Sequence, residues 1–368
     1  MTKQFKIPNF SPVHILSIET SCDETSFAIG TVKNGCFKLL TNTISSQIKI
    51  HQKFGGVVPN LSAREHLKNF KPLLDKTLAQ AKIPLEKIDC FSVAPGPGLI
   101  PALLVGVSIA KTLAFYQQKP LIPIHHLEGH TYAAWLKKNG ELRDNIAFPA
   151  LVLIVSGGHT QLMLMEDHLK YEILGRTLDD AVGEAFDKVA RILELGYPGG
   201  PLIEKLAQKG NPEKFQLPRP MINSSDLNFS FSGLKTAVLY LTKEYSDNKK
   251  IVPSADVAAS FEQAVVDTLM TKTQKAINTY NPQSLILAGG VAANKKIREA
   301  FIEIAKKQSE TEKDSTCQPL KAYIPELEFC GDNAAMQLPA VFFRLKKYGK
   351  KKYQQGWEEV AADANLGL

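Results

Sequence analysis

Two histidines four residues apart are where the chemistry of this chain begins. In His126-Leu127-Glu128-Gly129-His130 the i, i+4 spacing sets both imidazoles on one side of a helix, where they can bind a single metal ion. The pattern is close to the His-Glu-x-x-His of zinc peptidases, but its carboxylate is displaced. A peptidase has its glutamate directly after the first histidine. Glu128 comes one position later, about 200° round the helix from His126 at roughly 100° per residue. It therefore faces away from the metal side. The competing reading of the pair is ordinary hydrogen bonding in the core or at the surface. A third ligand is offered by Phe329-Cys330-Gly331-Asp332-Asn333-Ala334. Gly331 permits a tight turn, and Asp332 stands where a helix would start, so it is either an N-cap or a ligand. Two histidines and one carboxylate would leave coordination positions open, as a catalytic metal needs.

A second group of residues points to a bound anion. Pro95-Gly96-Pro97-Gly98, Ser156-Gly157-Gly158 and Ala288-Gly289-Gly290 each follow a strand-like run. Glycine lets backbone N–H groups approach a phosphate, and a following helix N-terminus favours negative charge. The chain has neither a Walker lysine motif nor G-x-G-x-x-G. Asp180, Glu184 and Asp187 fall at i, i+4, i+7 and share a helix face. That face is either a solvated charged surface or a carboxylate set for ribose hydroxyls. Tyr197-Pro198-Gly199-Gly200-Pro201 follows as a rigid turn.

The elements that must position these groups repeat a layout. Ile15 to Ile18 and Phe27 to Ile29 form a hairpin with a polar tip, Ile88 to Val93 is a strand before the first glycine turn, and Leu103 to Phe115 is helical. Leu67 to Ala81 has helical spacing despite Pro72. Ala150 to Val155 pairs with Gln161 to Met165, and Ser284 to Leu287 leads through its glycines into a helix from Lys295. Two α/β lobes with a nucleotide between them fit this order. No internal sequence repeat accompanies it. Polar stretches 137–144, 244–250 and 307–318 read as surface loops. The basic segment 346–352 reads as a solvated surface or a contact for an RNA backbone.

Composition narrows the class. With 44% apolar and 22% charged residues in 368, the chain has the make-up of a soluble globular protein. The formal net charge of +7 tilts towards an anionic partner. Five scattered cysteines without C-x-x-C suit a reducing compartment. The start carries no signal pattern and no apolar run spans a membrane, so a cytoplasmic location is expected.

Together these motifs resemble the TsaD family, the tRNA N6-adenosine threonylcarbamoyltransferases. The resemblance runs from about Ile15 to Leu345. It is carried by Ile18 to Thr25, Gly55-Gly56-Val57-Val58-Pro59, Gly96-Pro97-Gly98, His126 to His130, Val155 to Thr160, Gly183 to Lys188, Tyr197 to Pro201, Phe229 to Thr236, Gly289 to Asn294 and Gly331-Asp332-Asn333. It implies the two-lobe actin-like ATPase fold of sugar kinases, heat-shock chaperones and actin, an α/β class with a central nucleotide cleft. The first lobe is expected over 1–125, completed by the helical end 335–368, and the second over 126–334. The implied reaction moves threonylcarbamoyl from threonylcarbamoyl-AMP to N6 of adenosine at tRNA position 37, the t6A modification, and AMP leaves. The implied ligands of one divalent metal per chain, iron (Fe2+) ahead of zinc, are His126, His130 and Asp332. The implied substrate-binding positions are Ile154, Val155, Ser156, Gly157, Gly158, Asp187, Gly200 and Asn294, with Glu204 where members differ. Glu19 and His159 are candidates for the general base, and both are equally readable as structural. The implied partners are tRNA and proteins resembling TsaB and TsaE if the source is bacterial, with no membrane. Two rivals remain, a metallopeptidase of the glycoprotease type and a non-catalytic scaffold of the same fold.

Overall fold

The computed structural model describes residues 12–311 and 319–368. The chain forms two compact units, 1–145 with 325–368 and 146–324.

The first unit is built on a sheet of order β3-β2-β1-β4-β5. Its strands are β1 Val13–Glu19, β2 Glu24–Lys33, β3 Cys36–Ser46, β4 Cys90–Val93 and β5 Leu121–Pro123. β1 pairs antiparallel with β2 and parallel with β4, and β2 pairs antiparallel with β3. The centre of the sheet is buried on both faces, one of them apolar and the other carrying the buried polar side chains of Ser17, Ser26 and Ser92. Leu16, Ile18, Phe27, Phe91 and Val93 are fully buried. The α-helices of the first stretch, among the described residues, are α1 Ile48–His51, α2 Pro59–Ala81, α3 Ile100–Gln117 and α4 His126–Tyr132. Pro72 lies inside α2, and Pro59 starts it. Among the described residues α3 alone is long and apolar enough to cross a membrane by length and composition. Its Val107, Ala110 and Ala114 pack in the core with Leu73, Leu74 and Trp357, so its apolar character serves the core.

The second unit repeats the arrangement. Its sheet runs β10-β9-β6-β7-β8, from β6 Ala150–Val155, β7 Thr160–Asp167, β8 Lys170–Arg176, β9 Ser284–Ala288 and β10 Lys321–Tyr323. β6 takes the place of β1, antiparallel to β7 and parallel to β9. The same topology therefore occurs twice, although the sequence shows no repeat. Topology depends on where apolar strands and turns fall, not on the identity of each residue. The helices are α5 Val182–Ile192, α6 Gly199–Ala207, α7 Ser232–Asp247, α8 Ser254–Tyr280 and α9 Lys295–Thr311. α10 Leu338–Tyr348 and α11 Gly356–Glu359 return to the first unit.

The division differs from the boundaries expected at 125/126 and 334/335. Residues up to Asn145 stay with the first unit because Leu39 N–H donates to Gly140 O at 2.7 Å and Lys38 bridges to Glu141. Pro325 onward joins it too, and Ala334 N–H donates to Ser26 Oγ at 2.9 Å. Two expected loops are partly helical. α7 continues to Asp247 and α9 to Thr311, since neither stretch holds a glycine or proline to stop it. Residues 312–318 lie outside the described residues. In the basic segment α10 ends at Tyr348 and Gly349 turns the chain at φ 71°. Lys352 Nζ then sits 3.9 Å over the Tyr348 ring, and Lys350 reaches Asp89 at 3.5 Å.

Candidate metal centre and nucleotide pocket

The metal-binding expectation rests on α4, which follows directly on β5. His125 begins the helix, its Nδ1 accepting from Leu127 N–H at 3.2 Å while Nε2 donates to Leu366 O at 2.9 Å. Burial holds this imidazole down to about 4, so it is neutral and able to accept. Glycine between the two motif histidines lets the helix settle on the chain after Asp332. A Cβ on Gly129 would lie 3.3 Å from Met336 Cγ.

That packing brings three potential ligands together across more than 200 residues of sequence. The donor atoms of His126, His130 and Asp332 all lie within 4.8 Å of one another. Asp332 Oδ1 is 3.1 Å from His130 Nε2 and 3.6 Å from His126 Nε2. Two ligands at about 2.0–2.1 Å from a tetrahedral ion stand about 3.3 Å apart, so the residues fit a metal ion. Asp332 is not the N-cap of the following turn. That position is held by Ala334, and Asn333 just before it accepts from Met336 N–H through Oδ1 at 3.0 Å.

Glu19 supports the centre from behind. His126 Nδ1 lies 3.4 Å from Glu19 Oε2, and a carboxylate can only accept, so this nitrogen carries the proton and Nε2 is left for a ligand. Ser21 N–H donates to Glu19 Oε1 at 2.7 Å, and Gln337 Nε2 donates to Oε2 at 2.9 Å. Burial disfavours charge on His126, but the Asp332 and then the Glu19 carboxylate outweigh it and raise the imidazole to about 9. A cation at this position is thus favoured by its surroundings. Glu128 takes no part. It is buried, and Arg344 Nη2 donates to its Oε2 at 2.7 Å.

The second unit holds a cavity of about 200 Å3 lined by Gly157, Asp187, Gly200, Glu204, Gly290 and Asn294 among others. Gly183, in the first turn of α5, lies hard against the turn after β6, where a Cβ would meet Ser156 O at 2.6 Å. Gly157, Gly200 and Gly290 instead face open space, with nothing within 4 Å of a built Cβ. Asp187 Oδ1 accepts from Gly199 N–H at 2.7 Å, tying α5 to the start of α6. Glu204 Oε1 accepts from Lys295 N–H at 3.0 Å, and Asn294 Oδ1 accepts from Ile297 N–H at 2.9 Å. Both residues therefore cap the first turn of α9 while they line the cavity.

Other expected positions lie elsewhere. Ile154 and Val155 are fully buried in β6, and they do not line this cavity, nor do Ser156 and Gly158. Ser156 Oγ accepts from His159 N–H at 3.0 Å, which closes the β6–β7 turn and leaves His159 half-buried. The acidic stripe divides. Asp180 precedes α5 and pairs with Lys188 at 2.7 Å and Lys235 at 3.0 Å. Asp179 accepts from Ser230 and Ser232 Oγ, each at 2.6 Å. These two aspartates hold the Phe229-to-Thr236 motif and leave Asp187 to the cavity. The Pro95–Gly98 turn is not part of this cavity's lining. The end of the chain covers it, with Asp363 N–H donating to Pro95 O at 2.8 Å and Gly98 N–H to Ala364 O at 3.3 Å. The sequence reading missed Glu262, a buried carboxylate of α8 bonded to Asn294. Its signal is a lone charge among Ala258, Phe261, Val265 and Leu269, all buried on that helix.

A paired sheet topology, a His-His-Asp cluster and a glycine-lined cavity define an α/β protein of the actin-like ATPase class. The family model for TsaD, tRNA N6-adenosine threonylcarbamoyltransferase, matches residues 38–338. The tRNA N6-adenosine threonylcarbamoyltransferase of Thermosipho africanus (strain TCF52B) is 48% identical over 352 residues, 96% of this chain and 97% of the relative. That of Thermosipho melanesiensis (strain DSM 12029 / CIP 104789 / BI429) is 52% identical over 322 residues, 88% of this chain and 92% of the relative. The crystal structure of T. kodakarensis HypF shares the fold at a TM-score of 0.57 and 13% identity, covering 96% of this chain and 49% of that one. This chain thus spans about half the length of that structure. The chain belongs to the TsaD family. Its activity is the transfer of a threonylcarbamoyl group to N6 of an adenosine in tRNA.

Proposed function

We propose that the donor is threonylcarbamoyl-AMP, that the acceptor is the adenosine at tRNA position 37, and that His126, His130 and Asp332 hold one divalent metal. The observation that carries this reading is the approach of the three donor atoms to within 4.8 Å of one another. Iron (Fe2+) is favoured over zinc because two histidines and one carboxylate with open positions suit non-haem ferrous sites. When bound, such an ion supplies Lewis-acid polarisation of a carbamoyl or phosphate oxygen.

The chain's own residues do the rest. The N6 amine attacks the carbamoyl carbon, the bond from that carbon to the phosphate oxygen breaks, and AMP departs with the electron pair. Asp187, Gly200 and Asn294 hold the adenylate, and the open backbone at Gly157 and Gly290 receives its polar groups. Glu204 contributes its outer face to the same cavity. Ile154, Val155, Ser156 and Gly158 act indirectly, by fixing the β6–β7 turn that presents Gly157. Glu19 orients His126 and has both oxygens engaged, which favours His159 over Glu19 as acceptor of the amine proton.

The peptidase reading fares worse because Glu128 is bonded to Arg344 and offers no base beside the three ligands. A scaffold has no use for a preformed ligand set. We further propose a cytoplasmic location and partner proteins resembling TsaB and TsaE. The test is reconstitution with tRNA, threonine, ATP, bicarbonate, the adenylate-forming enzyme and those partners, followed by mass analysis of tRNA nucleosides. Modified adenosine that depends on this chain is the expected result, and its absence in a system active with a known family member overturns the reading.

A further inference from the structure

Glu262 lies in the middle of α8, is 4% exposed, and belongs to none of the motifs that mark this chain. Its Oε1 accepts from Asn294 Nδ2 at 2.8 Å. Its Oε2 stands 4.0 Å from Lys296 Nζ. Burial raises its carboxyl above the usual range, an effect countered by the Asn294 bond and then by Lys296. On its other side Asn294 accepts from Ile297 N–H through Oδ1.

The two bonds together fix what an asparagine otherwise leaves open. A carboxylate can only accept and a backbone N–H can only donate, so the amide nitrogen must face Glu262 and the oxygen must face α9. A helix cap alone would fix the oxygen but leave the nitrogen unsupported. With both in place, one Nδ2 hydrogen and one Oδ1 lone pair remain for a ligand in the cavity that Asn294 lines. A group held in one rotamer before binding loses less entropy on binding.

We infer that Glu262 is a positioning residue of the nucleotide pocket, acting on the ligand only through the Asn294 amide. The inference rests on the nucleotide reading of that pocket and adds the residue that sets its polarity. It requires that Glu262 matter for nucleotide affinity only while Asn294 is present.

The experiment is calorimetric titration of the full-length chain with AMP, with a thermal melt of each variant. Glu262→Leu and Glu262→Asp are expected to raise Kd about 3- to 10-fold, the worth of one net hydrogen bond. Glu262→Gln, which keeps an acceptor of the same length, is expected to stay within about 2-fold. Glu262→Leu added to Asn294→Ala is expected to bind as Asn294→Ala alone. Wild-type affinity in both Glu262→Leu and Glu262→Asp overturns the inference. So does a double variant weaker than Asn294→Ala by the full Glu262→Leu factor. If Glu262→Leu does not fold, Glu262→Asp and its double variant with Asn294→Ala decide the matter alone. If Asp187→Ala weakens AMP while Asn294→Ala does not, the pocket reading stands and this inference fails. If neither does, the pocket reading itself fails.

Discussion

Arg344 on α10 donates from Nη2 to Glu128 Oε2 on α4 at 2.7 Å. The carboxylate is fully buried. Burial works against the charge on Arg344, and Glu128 more than restores it. The glutamate between the two metal-side histidines is thus a strut that fastens their helix to α10, while Asp332 meets the histidines themselves. A pair of this kind is sensitive to the loss of one partner, because the other then stays desolvated without compensation.

Glu128→Gln keeps a hydrogen-bonding group but not the charge. We expect it to lose about 1.5–3 kcal/mol of stability, the range for a hydrogen bond to a charged group, in a denaturant titration. Bound metal and tRNA modification are expected to survive, with no peptide hydrolysis in either protein. Peptide cleavage by the wild type that stops in Glu128→Gln would reverse the assignment.

Elemental analysis should find about one metal ion per chain, as a single open site implies. His126→Ala combined with His130→Ala, and Asp332→Ala alone, should lose the metal and tRNA modification. Loss of one ligand is expected to weaken metal binding by at least the roughly 10- to 100-fold typical of an outer partner. Chelation should stop turnover, and the metal should restore it. Full occupancy in the double variant would dismiss the site.

Asp187 accepts from Gly199 N–H at 2.7 Å and lines the cavity. Asp187→Ala should weaken AMP binding by about 10- to 150-fold, equivalent to about 1.5–3 kcal/mol for a charged hydrogen bond. Asp187→Asn should fall between, since its amide oxygen still accepts from Gly199. An unchanged Kd in Asp187→Ala would remove this residue from the pocket's function.

His66 is buried between Thr25 Oγ1, 2.8 Å from Nδ1, and Cys22 O, 3.1 Å from Nε2. Burial depresses its pKa below the ordinary 6.5, with the Cys22 carbonyl opposing. The unfolded chain therefore takes the proton first. The contribution is fully present above about pH 6.5 and is lost as pH falls through that value towards the folded one. Denaturant midpoints should be level near pH 7 and decline below about 6.5. His66 can add at most about 1.4 kcal/mol per pH unit to that slope. His66→Gln should show a shallower decline, and equal slopes in the two proteins would rule out the titration of His66 as a cause.

What the sequence determined by itself is local. The i, i+4 spacing of His126 and His130 sets them on one helix face whatever surrounds them, and the same rule turns Glu128 away. Strands at Ile15 and Ala150 follow from short apolar runs closed by polar or glycine turns, and the structure has β1 and β6 there. The extents of α7 and α9 were less legible, because charged helix formers read equally well as loop. Tertiary structure decided everything that joins distant segments. Asp332 was legible as a cap or a ligand, and only the packing of α4 on Met336 brings it to 3.1 Å from His130 Nε2. Three glycine turns looked alike, yet Gly96 is buried under Asp363, while Gly157 and Gly290 face open space. Glu262 had no motif at all, since its role arises from α8 lying beside the cap of α9. Local pattern follows from bonds between near neighbours along the chain. A ligand set, a covered turn or a buried carboxylate depends on which surfaces the folded chain presses together.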